Sequence, residues 1–249
     1  MYVKKILFLT FLSWFCLLPF LQAQTPEKQH AVEILKSLSD RYRNYKNLRF
    51  TISYKYASEE KPGVYLDSLK GDFKMSGNRY KYVLDSTEFV ANGELTVVVY
   101  KQDRILFLTK ASSAMQSGNP MAVLDSILLK NDSINCQLSE TTAQQKIRIL
   151  FKPGMATRSI EYTIDRKSGF VTRMINIVQS RELYDPSVRS LVAGNSSYAI
   201  VETDLTNYRE GAFDESELDP GRYIKKVGKE YVTVPPYDSY KIFLGTPDL

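Results

Sequence analysis

Leu48-Arg49-Phe50-Thr51-Ile52-Ser53-Tyr54-Lys55-Tyr56 decides the fold. Large apolar bodies fall on every second residue and polar side chains fill the gaps. A period of two is the signature of a strand with one face buried and the other wet. The charged turn Glu59-Glu60-Lys61-Pro62-Gly63 leads into a second strand, in which Leu69, Gly71, Phe73 and Met75 share a face. Gly77-Asn78 turns the chain into Arg79 to Leu84, where Tyr80, Tyr82 and Leu84 alternate. A further strand ends at Asn92-Gly93, a strong hairpin signal, and Leu95 to Tyr100 returns from it, with Ile105 to Leu108 following. Neighbouring strands joined by short turns form an antiparallel meander.

Working back toward the N-terminus, the period changes to that of a helix. Thr25 can cap it and Pro26 suits the first helical position. Ala31, Ile34, Leu35, Leu38, Tyr42 and Tyr45 then fall three and four apart, which gives one apolar stripe. Still earlier, Met1 to Ala23 reads as a secretory leader, with Lys4 and Lys5 ahead of the apolar run Ile6 to Leu21. The run is short for a membrane span. Phe15 before Cys16 sits where a lipidation signal needs a small residue. We therefore expect export to the periplasm with cleavage near Ala23, leaving residues 24–249 as the mature chain.

Beyond Leu108 the pattern breaks. Ala111 to Gly118 is small and polar, Asn119-Pro120 resembles a helix start, and Met121 to Leu129 makes a short apolar helix. Strands resume at Ile134 to Leu138, Lys146 to Phe151, Ser159 to Ile164 and Phe170 to Val178, with Asp165 to Gly169 as a hairpin turn. Tyr184 to Ser197 interrupts before a long strand from Tyr198 to Tyr208. The tail holds Phe213, the acids Asp214, Glu215, Glu217 and Asp219, a hairpin from Tyr223 to Val234 turning at Gly228, and a last edge strand at Tyr240 to Leu244. With no repeat and no linker, this is one domain of eleven to thirteen strands with two or three helices. A meander so long must curl or close, because a flat sheet leaves a face and both edges bare.

The 249 residues are 43% hydrophobic and 24% charged, with a mean hydropathy of -0.27. That excludes collagen-like, coiled-coil and low-complexity chains, and a polytopic membrane protein. The net charge of +5 loses two lysines with the leader and is otherwise spread along the chain, so no nucleic-acid partner is expected. The leader also carries the only Trp and one of the two Cys, which leaves Cys136 alone in an alternating stretch as a buried small hydrophobe.

Catalytic chemistry is thinly represented. His30 is the only histidine, on the flank of the first helix, so no zinc constellation of the usual kind can form and a serine triad would have to recruit it. Neither a Gly-x-Ser-x-Gly elbow nor a phosphate-binding glycine motif occurs. Ser58-x-x-Lys61 lies in a charged turn, and the acids from Asp214 to Asp219 read as a solvated connection without the spacing of a calcium loop. No enzyme, no metal and no cofactor is expected. What stands out is the aromatic supply: large rings alternate with polar residues along the strands, so one sheet face is either an ordinary core or the lining of an apolar cavity.

The order of these elements resembles the LolA family of periplasmic carriers of outer-membrane lipoproteins. The resemblance rests on the leading amphipathic helix, Gly71-Asp72-Phe73-Lys74-Met75, Tyr80-Lys81-Tyr82, Asn92-Gly93 ahead of Val97 to Tyr100, and Asn119-Pro120-Met121-Ala122-Val123-Leu124, similar to the family's proline-led lid helix. It covers roughly Glu27 to Phe213. The arginine with which members of the family hold the lid would fall at Ser76, with Arg79 close by.

The resemblance implies a strongly curved, incompletely closed antiparallel β-barrel of about 11 strands, mainly β with α, with helices covering its concave face. Residues 24–212 would form this half-barrel, and 213–249 an extension packed on the same domain. Phe50, Ile52, Tyr54, Phe73, Tyr80, Tyr82, Phe89 and Val98 would line the cavity, and Met121, Leu124 and Leu128 would form the lid. The cargo would be lipoprotein or lipid acyl chains, passed from an inner-membrane donor transporter to an outer-membrane acceptor by a monomer. Each buried methylene is worth about 0.8 kcal/mol, so sheltering ten gains on the order of 8 kcal/mol before the helices are displaced. Two other readings are an envelope module that senses or docks without carrying, and an exported hydrolase with paired acids in a cleft.

Overall fold

The computed structural model describes residues 26–77, 79–110, 134–183, 197–246 and 249. The leader, Thr25, Asn78, the 111–133 segment with Met121, Leu124 and Leu128, and most of the 184–197 interruption lie outside the described residues.

The helical stripe forms α1, Pro26–Asn44, and the meander follows as β1 (Leu48–Ser58), β2 (Tyr65–Ser76), β3 (Arg79–Leu84), β4 (Thr87–Ala91), β5 (Leu95–Tyr100) and β6 (Ile105–Lys110). The second half gives β7 (Asn135–Glu140), β8 (Gln144–Leu150), β9 (Thr157–Asp165), β10 (Val171–Gln179) and β11 (Tyr198–Glu210). The tail supplies β12 (Ile224–Val227), β13 (Glu230–Thr233) and β14 (Lys241–Leu244). One large curved sheet takes twelve of these strands in the order β14-β6-β5-β4-β3-β2-β1-β11-β10-β9-β8-β7 and does not close. It is built from two meanders joined where β1 pairs with β11. The sheet has one strand more than the eleven or so expected, and β14 joins β6 in parallel, so it is not purely antiparallel. β12 and β13 form a separate hairpin.

The stripe on α1 is buried as its spacing requires: Ala31, Leu35, Leu38 and Tyr42 sink into a core with Leu48, Phe50 and Ile52 of β1, Ile147 and Ile149 of β8, and Tyr162 of β9. Cys136 is a free thiol in this core, and burial pushes its pKa up. His30 is exposed, 3.8 Å from Glu33 and 4.0 Å from Glu140.

A second core lies on the other face of the sheet. Val90, Val97, Val99, Leu106 and Leu108 pack there with Tyr223 and Ile224 of the tail. The acidic stretch, expected to be a solvated connection, is instead the clip that brings the tail there. Asp214 and Asp219 cap two short 3-10 turns by accepting from the Ser216 and Gly221 amides at 2.9 and 2.8 Å. Glu217 then accepts from Lys74 Nζ at 2.6 Å, and Glu215 binds Arg79 and accepts from Ser76 Oγ at 3.3 Å.

Candidate binding face

Residues directly opposite each other in adjacent strands share a face. Phe50 stands opposite Phe73, Phe73 opposite Tyr82, Tyr82 opposite Phe89, Phe89 opposite Val98, Val98 opposite Phe107, and Phe107 opposite Phe243. One row of large side chains therefore crosses seven strands, from β1 to β14. Ring centroids lie 4.8 Å apart for Phe50 and Phe73, 5.8 Å for Phe73 and Tyr82, and 4.1 Å for Tyr82 and Phe89, all nearly parallel. Ile52 and Tyr54 lie two and four residues along β1 from Phe50, and Tyr80 two residues along β3 from Tyr82. The register thus puts all eight residues that were expected to line the cavity on one face.

Two rings were missed. Tyr208 stacks on Phe50 at 4.9 Å, and Phe170 stacks on Tyr208 at 4.2 Å. Simple alternation along β11 would turn Tyr208 away, since Thr203 and Leu205 already face this side opposite Tyr54 and Ile52. A β-bulge corrects the parity: between the pairs Thr51–Thr206 and Arg49–Arg209, two residues of β11 oppose Phe50 alone, and Asn207 adopts φ 56°. An Asn in a strand's polar run was the only sequence signal. The Tyr208 hydroxyl donates to the Val171 carbonyl at 2.8 Å, which makes Tyr42 the donor in the 2.6 Å bond between the two phenols.

The far end of the row is the exposed one. Phe50 and Phe73 are buried, Tyr82 and Phe89 half-buried, Val98 buried again, and Phe107 and Phe243 reach 36% and 50%. Burial raises the pKa of Tyr54 to about 12, with Tyr56 adding to it, and burial likewise lifts Tyr80, Tyr82 and Tyr208. The phenols therefore stay neutral at any physiological pH, and the row presents no charge. Where α1 passes the ends of β8 and β9, a cavity of about 380 Å³ is lined by Ile34, Leu38 and Ile164 together with His30, Arg41 and Gly169. Gly169 is favoured there by its φ of +68°, a left-handed conformation that L side chains rarely adopt. Among the described residues no group of three His, Cys, Asp or Glu could hold a metal, and no helix is long and apolar enough to cross a membrane.

The architecture is thus an open, curved β-sheet carrying an amphipathic helix on an aromatic face. A solved structure with this fold is an uncharacterised conserved protein from Thermus thermophilus, 8% identical, with a TM-score of 0.50 over 86% of this chain and 99% of that one. A LolA superfamily protein from Nitrosomonas europaea aligns over 77% of this chain and 98% of its own at 7% identity and a TM-score of 0.37. An outer membrane lipoprotein-sorting protein domain from Vibrio parahaemolyticus, 10% identical, aligns over 76% and 96% with a TM-score of 0.34. No protein-family model and no curated protein sequence matches the chain.

Proposed function

We propose that this chain is a periplasmic carrier that holds acyl chains of lipoproteins or lipids against the aromatic row and delivers them toward the outer membrane without covalent chemistry. The observation that carries the reading is the continuity of that row, from rings sealed under α1 to the half-exposed ring of Phe107. A hydrocarbon tail lying along Tyr82, Phe89, Val98 and Phe107 meets uncharged surface throughout and gains about 0.8 kcal/mol per methylene buried. The reading includes removal of the leader near Ala23 and transfer between an inner-membrane donor and an outer-membrane acceptor. The name of the Vibrio parahaemolyticus domain agrees with it in kind.

The test is native mass spectrometry of residues 24–249 purified from the periplasm, with titration of a fluorescent fatty acid. A co-purifying lipid and saturable uptake are expected, and Phe89→Ala should weaken uptake about tenfold, the equivalent of roughly 1.4 kcal/mol. A protein that emerges bare and takes up nothing would end the carrier reading. One observation favours the second reading, an envelope docking or sensing module: Phe50, Phe73 and Met75 are buried and the rings stack on one another, so the inner end of the row is filled by the protein itself.

A further inference from the structure

The face of the sheet opposite the aromatic row carries a row of its own. Arg209 of β11, Arg49 of β1, Lys74 of β2 and Lys81 of β3 stand directly opposite one another across four consecutive strands. Like charges placed opposite each other in a sheet destabilise it unless an anion offsets them. Two have one: Lys74 binds Glu217 at 2.6 Å, and Lys81 lies 3.5 Å from Glu88 and donates to the Tyr223 hydroxyl at 3.2 Å. Arg49 and Arg209 make no ion pair or side-chain hydrogen bond with any described residue. Arg49 Nε is shielded from water and has no hydrogen-bond partner among the described residues, and leaving a buried donor unpaired costs stability.

The two guanidinium groups border an opening. At the bulge that turns Tyr208 inward, a cavity of about 380 Å³ is lined by Arg49, Thr51, Asp72, Lys74, Asn207 and Arg209, with Phe50 and Phe73 completing it. Its one carboxylate, Asp72, accepts from Thr51 Oγ1 at 3.2 Å and lies one row away from the cations. With Lys74 already held by Glu217, the uncompensated charge is that of the two arginines. A pair of forked, permanently charged donors suits a planar or tetrahedral oxyanion that each can bind through two N–H groups.

We infer that the bulge on the outer face is an oxyanion site in which Arg49 and Arg209 bind a phosphate group. The group comes either from a free phosphate compound or from the head of an anionic phospholipid. The site does not depend on the carrier reading, since its arginines stand on the face opposite the aromatic row and it survives if no acyl chain binds there.

Thermal melting of the full mature chain in sodium phosphate is compared with sodium chloride at equal ionic strength. A parallel arm measures co-sedimentation with phosphatidylglycerol vesicles against phosphatidylcholine vesicles. A melting temperature raised by about 3–6 °C at ten times Kd is expected for a soluble ligand. Binding only to phosphatidylglycerol vesicles assigns the headgroup, and a shift with phosphate alone assigns the free compound. Arg49→Gln and Arg209→Gln should each abolish the response while melting no lower than the parent chain in chloride, because each removes one of two facing cations. A merely structural role would lower that baseline. Lys81→Gln, in the same row but already partnered, should keep the response. Arg209 is exposed, so its variant carries the test should Arg49→Gln fold poorly. Equal behaviour of phosphate and chloride with no vesicle preference, or a response retained in both arginine variants, overturns the inference.

Discussion

The helix-covered half of the sheet and the tail-covered half bury opposite faces. Under α1, strands β7 to β11 with β1 and β2 send alternate residues such as Ile147, Ile149, Tyr162 and Phe50 into one core. At the other end, β4, β5 and β6 send Val90, Val97, Val99, Leu106 and Leu108 the other way, into a core closed by the tail. β4 is the strand where the two meet: Val90 and Ala91 are both fully buried, one in each core. The lesson is that a long open sheet needs two covers, and here one comes from a helix read early in the chain and the other from the chain's far end. The first cover is held by close apolar packing over many strands. The second packs fewer apolar residues and adds charged clips.

That difference predicts unequal responses to core truncation. Phe50→Ala removes a ring stacked between Phe73 and Tyr208 and should cost about 3–5 kcal/mol of global stability in a denaturant titration. Leu106→Ala should cost about 2–5 kcal/mol locally, seen first as proteolytic cleavage after Tyr223 at denaturant levels where the helix-covered half still resists. A single shared transition in both variants, with the tail protected until the whole protein unfolds, would show that the covers are not separable.

The sequence made the first cover legible and hid the second for a physical reason. The stripe Ala31, Leu35, Leu38, Tyr42 and the alternation from Leu48 to Tyr56 are local periodicities, and the helix and strand they announce are both present. Phe73, Tyr80 and Tyr82 alternate with charged neighbours in the same way, and the register sets them on the face of Phe50. The tail's position depends on contacts between residues far apart in the chain, such as Ile242 beside Leu106 or Glu217 on Lys74, which no period records. One signal was available: Val97-Val98-Val99 does not alternate, and an unbroken apolar run marks a strand buried on both faces. Tyr208 stayed hidden because the bulge at Asn207 breaks the alternation that sequence reading relies on.

A smaller effect sharpens the comparison through pH. Glu88 lies buried at the tail-side core, accepting from the Tyr223 hydroxyl at 3.2 Å, with Lys101 at 3.0 Å and Lys81 at 3.5 Å. Burial by itself would raise its pKa, but the bond to Lys101 and the charge of Lys81 outweigh burial and hold it below the ordinary value of 4.5. A carboxyl with a lowered folded-state pKa stabilises the fold above its unfolded pKa, and that contribution disappears as pH falls through the folded value. Glu88→Gln should therefore cost about 1–3 kcal/mol at pH 7, and the gap from the parent should close as the titration is carried below pH 4.5. A gap that is the same at pH 7 and pH 3 would assign the loss to packing.

The smallest expected effect concerns the clip itself. Lys74 and Glu217 are each 27% exposed on their side chains, so water and salt screen their 2.6 Å contact. Glu217→Gln should cost about 0.2–1 kcal/mol at low ionic strength and almost nothing in high salt. The apolar cover formed by Tyr223, Ile224 and Ile242 would then be what keeps the tail down, with the acids choosing where it crosses β2 and β3. A loss well above 1 kcal/mol that persists in high salt would invert this order. It would mean that the tail is fastened by charge, and that the two halves of the sheet differ in the kind of force that covers them rather than in its amount.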